Sequence, residues 1–114
     1  VHTGEFARRE FGGETPDAGC MWEEESCPLS SAFVNDMAAI HSVVDLGAQI
    51  SVPWLLVHGT EDDVVPIGDS RDIIAKATNS PEFFEIAGAN HVFSDEALAV
   101  MVNKVTEWVE AQAG

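Results

Sequence analysis

The sequence predicts an α/β fold in which parallel strands alternate with helices. Three observations support this prediction: an almost continuous apolar run over residues 52–59, a second strand-like run over residues 82–86, and helix-like patterns before, between and after them. Short apolar runs bounded by proline or glycine are typical of strands buried in a parallel sheet. Strand, helix, strand and helix in this order imply parallel strands joined by a right-handed crossover.

The chain is expected to divide at residue 29. Residues 1–28 combine glycine, proline and many acidic side chains without periodicity, which indicates an acidic, loop-rich arm. From Leu29 the pattern becomes helical, and residues 29–114 are expected to form the α/β segment. Cys20 and Cys27 match no zinc-ligand spacing and are expected to be free thiols.

The first helix is expected over residues 29–46, with a break near His41 and an end before Gly47. Serines suitable for the N-cap precede apolar residues at helical spacing. These positions are Ser30, Ser31, Phe33, Met37, Ile40 and Val44. Core packing is the preferred interpretation of the apolar ones.

A second helix is expected after the loop 60–68, with Asp69 as its N-cap and a stop near Pro81. Its inner face is expected to hold Ile73, Ile74 and Ala77. The second strand, residues 82–86, follows directly.

The last helix is expected after a loop over residues 87–93. Ser94 is its expected N-cap, and Asp95 and Glu96 lie where the positive end of the helix dipole favours them. A wide apolar stripe at helical spacing is expected to face a core. It consists of Leu98, Met101, Val102, Val105, Trp108 and Val109.

Composition and charge indicate one small globular domain. The chain has 114 residues, 46% of them hydrophobic, which is enough apolar material for a core. Twenty acidic against five basic residues give a net charge of −15. A field of this sign repels phosphate backbones and anionic lipid, so nucleic-acid and membrane binding are disfavoured. An acidic mimic of nucleic acid that captures a basic partner is a weaker alternative.

The chain shows no membrane span or export signal. No apolar run approaches the roughly 18–20 residues of a span, and no basic-then-apolar pattern opens the sequence. A soluble, cytoplasmic protein is therefore expected. Because the first residue is Val1 rather than Met, the chain is also considered as a fragment.

Polar residues follow the carboxyl ends of both predicted strands, where open α/β sheets place their ligand sites. The first loop reads HGTEDDVVP from His58, and the second reads GANHVF from Gly88. An acid of the first loop and His91 of the second are therefore expected to face one crevice. His58 is interpreted as a structural residue whose ring is hydrogen-bonded beneath the loop.

The run PWLLVHGTEDDVVPI, followed by GANHVF and a terminal helix with Trp108, resembles the end of α/β-hydrolases of the dienelactone-hydrolase and serine-aminopeptidase type. The resemblance covers about residues 29–112. It implies a partial α/β-hydrolase fold in which a cap-like helix precedes the strands. It also implies that Asp62, three residues after Gly59, and His91 are the acid and base of a Ser-Asp-His triad.

The implied chemistry is hydrolysis of a carboxylic ester or amide. A neutral imidazole at His91 would accept the proton of an attacking hydroxyl and pass it to the leaving group, while Asp62 orients the ring. Glu61 and Asp63 are the rival acids, and the offset from Gly59 favours Asp62. The plainer interpretations are that Asp62 caps a turn and that His91 is a solvated loop residue.

The nucleophile of such a site is missing from the sequence. No G-x-S-x-G elbow occurs among the 114 residues, and the serines near helix starts are better explained as caps or first-turn residues. These serines are Ser30, Ser31, Ser70 and Ser94. The chain is thus expected to need a missing N-terminal half or a homo-oligomer, with a small ester or amide as substrate and no metal or cofactor. The alternative is a truncated, non-catalytic module that self-associates or binds a partner through its open sheet edge.

Overall fold

A computed structural model describes residues 2–5, 9, 17 and 30–114 of the chain. The chain forms two compact units, Val1–Val43 and Val44–Gly114. Cys20 and Cys27 lie outside the described residues, as does most of the expected acidic arm.

The first unit contains helix α1, Ser31–Ile40. The expected break near His41 is confirmed, because this residue has a positive φ of 58° and ends the helix. Ser30 is the N-cap residue, as predicted, but its side chain makes no capping bond. Ser31 is the first residue of the helix rather than its cap, and its amide donates to Asp17 Oδ1 at 3.0 Å. Phe33 is 45% exposed, so its expected place in a core is not observed.

The second unit is a small α/β arrangement around two parallel strands. Its elements are a 3₁₀ helix Val44–Gln49, β1 Leu55–Gly59, α2 Ile67–Lys76, β2 Glu82–Ile86 and α3 Glu96–Ala113. β1 and β2 pair in parallel, as predicted, from Leu55 opposite Glu82 to Gly59 opposite Ile86. The 3₁₀ helix runs through Gly47, where the first predicted helix was expected to have ended already. Within the described residues, no helix is both long enough and apolar enough to cross a bilayer.

The first strand is shorter than its apolar run predicts. It begins at Leu55 rather than Val52, because Pro53 has no amide proton for a sheet hydrogen bond. The carbonyl oxygen of Val52 is bound instead by the side-chain amide of Asn79, at 2.7 Å. The first inter-strand bond therefore runs from the Glu82 amide to the Trp54 carbonyl oxygen, at 3.2 Å.

Two helix starts differ from their predicted caps. Helix α2 begins at Ile67, directly after Pro66, and Asp69 lies inside its first turn, with its amide bonded to the Pro66 carbonyl oxygen at 2.9 Å. Asp69 still lies where an acidic side chain interacts favourably with the helix dipole. At α3, the Ser94 hydroxyl accepts a bond from Asn90 and caps nothing.

The apolar stripe of α3 is only partly covered. Its members Met101 and Trp108 are half-buried, but four others are exposed. The exposed ones are Leu98, Val102, Val105 and Val109. The prediction that the whole stripe faces a core is therefore wrong for this unit. The reason is geometric, because two strands about 4.8 Å apart form a narrower surface than a helix about 10 Å across.

Gly59, the last residue of β1, lets the two strand-end loops approach each other. A Cβ atom at this position would collide with the carbonyl oxygen of Ala89, a buried residue of the loop after β2. The same oxygen accepts the Glu61 amide at 3.0 Å. Any side chain at position 59 must therefore push the two loops apart.

We expect Gly59→Ala to lower the free energy of unfolding by about 1–3 kcal/mol, the usual cost of forcing atoms into a packed site. Gly68→Ala is the matched control, since a Cβ there meets nothing within 4 Å and Gly68 lies within α2. The control should be neutral or more stable by about 0.5–1 kcal/mol. Urea unfolding measures both, and equal stability of the two variants would contradict this account of Gly59.

Candidate active site

Two loops meet at the carboxyl ends of the paired strands. Backbone bonds hold them together: the Thr60 amide donates to the Ile86 carbonyl oxygen at 3.0 Å, and the Gly88 amide donates to Thr60 Oγ1 at 2.9 Å. Gly88 has a positive φ of 74°, which suits glycine. The strand pairing therefore fixes the relative position of the two loops.

Asp62 and His91 are brought together where these loops meet. His91 Nδ1 lies 2.9 Å from Asp62 Oδ2, a hydrogen-bonding distance. The Asp62 side chain is 6% exposed and that of His91 is 44% exposed, so a protected carboxylate supports an accessible ring. The rival acids Glu61 and Asp63 are exposed. The structure thus pairs the two residues that the sequence predicted as acid and base.

The two oxygens of Asp62 have separate partners. Oδ1 accepts the backbone amides of Val64 at 3.0 Å and Val65 at 2.8 Å, which closes a turn of the loop. Oδ2 accepts from His91 and also lies 3.1 Å from Nε2 of His58. The plainer interpretation, a turn-capping aspartate, is therefore correct for one oxygen, while the other is directed at the two histidines.

The pKa of the Asp62 carboxyl group lies below its ordinary value of 3.8. Burial is the largest single effect and raises the pKa, but hydrogen bonds from the Val65 amide, His91 and the Val64 amide, with the electrostatic interaction with His91, together lower it by more. The carboxyl group is therefore ionised at neutral pH and can only accept hydrogen bonds. It follows that His91 donates from Nδ1, and Nε2 of the neutral ring keeps its lone pair.

This lowered pKa predicts a pH dependence of stability. The folded chain releases the Asp62 proton more readily than the unfolded chain, so the carboxylate stabilises the fold above the unfolded pKa, near 3.8. That contribution is lost as the pH falls through the lower, folded pKa. We expect the stability difference between the wild type and Asp62→Asn to shrink between about pH 5 and pH 2.

Urea unfolding at several pH values measures this difference, and Asp63→Asn is the control because Asp63 is exposed in the same loop. A difference between wild type and Asp62→Asn that stays constant over this range would show that the pKa of Asp62 is not lowered by folding.

The loop that carries His91 is closed by its own side chains. The Asn90 side-chain amide donates to Ser94 Oγ, and the Ser94 backbone amide donates back to Asn90 Oδ1, both at 3.0 Å. The Phe93 amide adds a bond to the Asn90 carbonyl oxygen at 3.2 Å. These bonds restrict the backbone on both sides of His91, so the ring is presented by a defined loop.

The structural interpretation of His58 is confirmed. Its Nε2 atom lies 2.9 Å from the Val65 carbonyl oxygen, beneath the loop, and the residue is buried. Its other partner, Ser70, was not predicted; the Ser70 hydroxyl lies 2.7 Å from Nδ1. Ser70 lies in the first turn of α2, as expected, and the sequence signal for its role is weak because twelve residues separate it from His58.

No protein-family model and no curated protein sequence matches the chain. Among the described residues, no group of three or more histidine, cysteine, aspartate or glutamate side chains could hold a metal ion.

Proposed function

We propose that this chain supplies the acid and the base of a serine-hydrolase active site that acts on carboxylic esters or amides. The observation that supports this is the 2.9 Å bond between Asp62 Oδ2 and His91 Nδ1, formed between two loops at the carboxyl ends of parallel strands. A carboxylate bound to one ring nitrogen is the arrangement that leaves the other nitrogen as a general base. The resemblance of both loops to α/β-hydrolases points to the same chemistry.

In this proposal His91 accepts the proton of a serine hydroxyl at Nε2 as the hydroxyl attacks the substrate carbonyl. The imidazolium that forms is stabilised by the buried, ionised Asp62, and it returns the proton to the leaving alcohol or amine. Water repeats the same transfers to release the acid from the acyl-enzyme. The exposure of His91 is compatible with this role, since its ring must reach both serine and substrate.

The serine is proposed to come from residues outside these 114. Ser70 is the nearest match to an elbow, in the string GDSRD, but Asp72 replaces the second glycine of G-x-S-x-G. Ser70 is also 7% exposed, so a substrate carbonyl cannot approach its hydroxyl. The proposed site is therefore completed by a segment that carries a glycine-flanked serine and an oxyanion loop.

Mass spectrometry after exposure to a fluorophosphonate tests this proposal, because the reagent attaches to an activated serine. We expect no adduct on the chain alone. After assembly with the segment that carries G-x-S-x-G, we expect one adduct on the elbow serine, with the labelling lost in His91→Asn. An adduct on Ser70, or labelling of the assembly that survives His91→Asn, would contradict the proposal.

The exposed stripe of α3 favours a second candidate, a non-catalytic module that associates through this face. Four large apolar side chains of the helix are exposed to solvent along one side, those of Leu98, Val102, Val105 and Val109. Contiguous apolar patches of this kind mark association sites. Sedimentation analysis distinguishes this candidate, since it predicts a dimer or larger species that Val102→Lys dissociates. A compact wild-type monomer at high concentration would exclude self-association.

A further inference from the structure

His58 is a buried histidine that the proposed hydrolysis does not itself use. It is the fourth residue of β1, and its side chain is 10% exposed. Both of its ring nitrogens are engaged, Nδ1 with Ser70 Oγ at 2.7 Å and Nε2 with the Val65 carbonyl oxygen at 2.9 Å. The ring thus connects α2 to the loop that carries Asp62.

These partners define which nitrogen of His58 carries a proton. A backbone carbonyl oxygen can only accept, so Nε2 must be the donor in the bond to Val65. In the neutral ring Nδ1 is then an acceptor, and the Ser70 hydroxyl donates to it. His58 therefore presents an N–H group to the loop, and Ser70 supports that tautomer from the opposite side.

The same N–H group faces the carboxylate of Asp62. The backbone of Val65 is held twice, because its amide donates to Asp62 Oδ1 at 2.8 Å and its carbonyl oxygen accepts from His58. His58 Nε2 also lies 3.1 Å from Asp62 Oδ2, the oxygen that accepts from His91. The positive edge of the His58 ring is thus next to the oxygen on which the proposed acid–base pair depends.

We infer that His58 is a positioning residue: its Nε2–H group, bonded to Val65 and adjacent to Asp62 Oδ2, holds the Asp62 carboxylate directed at Nδ1 of His91. The inference rests on the proposed function for the role of His91. Without this support the turn bonds still hold Oδ1, but the only contact left to Oδ2 in the two loops is the bond to the half-exposed ring of His91, so the direction of Oδ2 is less restricted.

A catalytic role for His58 itself does not fit the geometry. A serine, a histidine and an aspartate, the residue types of a triad, lie in series here as Ser70, His58 and Asp62. However, each nitrogen of the His58 ring faces the partner that the other nitrogen has in a triad. In serine hydrolases the acid binds Nδ1 and the serine faces Nε2, whereas here Ser70 faces Nδ1 and Asp62 lies near Nε2. Ser70 and His58 are both buried, so no substrate reaches them.

Two substitutions of His58, made in the chain alone, distinguish the contributions of its two ring nitrogens. His58→Gln can place an amide N–H near the position of Nε2, whereas His58→Asn places its amide near Nδ1 and removes the donor that faces Asp62. The readout is the tautomer of His91, observed through its ring ¹⁵N shifts at neutral pH. We expect the ratio of Nδ1–H to Nε2–H forms to fall at least about tenfold in His58→Asn and to be restored in His58→Gln.

Unchanged His91 spectra in both variants would overturn the inference. A fall of the His91 tautomer ratio in both variants would overturn it too, because the glutamine at position 58 is expected to restore that ratio. The unmodified chain provides a test that does not depend on the folding of a variant. We expect its His58 to be in the Nε2–H form with a slowly exchanging ring proton, and a dominant Nδ1–H form would overturn the inference. These spectra do not require the nucleophilic serine, so they test the role of His58 independently of the proposed function. The proposed function fails by a different result, which is fluorophosphonate labelling of the assembly that survives His91→Asn.

Discussion

Asp62→Asn is expected to reverse the tautomer of His91, so that His91 can no longer act as an effective general base. The asparagine oxygen can keep the turn bonds from the Val64 and Val65 amides that Oδ1 now accepts. Its NH₂ group then occupies the position of Oδ2 and needs an acceptor, which His91 Nδ1 can supply only without its proton. The proton moves to Nε2, where a general base needs a lone pair, so we expect turnover of the assembled enzyme to fall by about 10⁴-fold.

The tautomer can be measured on the chain alone by ring ¹⁵N shifts, and the loss of turnover on the assembly with the serine segment. Asp63→Asn is the matched control, since it makes the same chemical change one residue away on an exposed side chain. It should change neither quantity. If Asp62→Asn kept the Nδ1–H form of His91, the assignment of Asp62 as the orienting acid would be wrong.

His91→Asn is expected to lower kcat of the assembled enzyme by at least about 10⁴-fold, because Asp62 acts only through His91 and the members of such a site act as a unit. Asparagine has no group that titrates near neutral pH, so the proton of the attacking serine has no acceptor in this loop. Since the His91 side chain is 44% exposed, the substitution should change the free energy of unfolding little. A loss of rate without a loss of stability is therefore the expected signature.

His41→Asn is the control for this substitution. His41 is exposed and lies in the first unit, so the same substitution there leaves the loops that carry Asp62 and His91 unchanged. Ester hydrolysis at saturating substrate measures kcat for both variants and the wild type. Full activity of His91→Asn in the assembly would remove His91 from the mechanism, whatever its bond to Asp62 in the folded chain.

The two substitutions also distinguish the parts of the proposed site. Asp62 acts on His91 through a bond that exists in this chain, so its effect on the tautomer needs no partner. His91 acts on a serine that these residues do not supply, so its effect appears only after assembly. A chain that passes the first test and fails the second would have the geometry of a triad without its function.

The sequence by itself predicted the parallel pairing of β1 and β2 and the limits of β2 correctly. The order of strand, helix and strand along the chain leaves little choice of topology, because the connection between two strands of one sheet through a helix is a right-handed crossover that makes them parallel. It also predicted that Asp62 and His91 would meet, since loops at the carboxyl ends of neighbouring parallel strands lie side by side. The choice of Asp62 over Glu61 and Asp63 came from the resemblance to α/β-hydrolases.

Only the tertiary structure decided where several elements begin and what their faces contact. Pro53 keeps β1 from starting at Val52, but only the folded chain shows that Asn79, far along the chain, binds the Val52 carbonyl oxygen instead. The exposure of four of the six side chains in the α3 stripe depends on the width of the sheet below it, and helical periodicity gives no information about that width. The Ser70–His58 bond likewise joins a helix to a strand. Contacts between distant residues leave no periodic pattern in the sequence, so they could be found only in the folded chain.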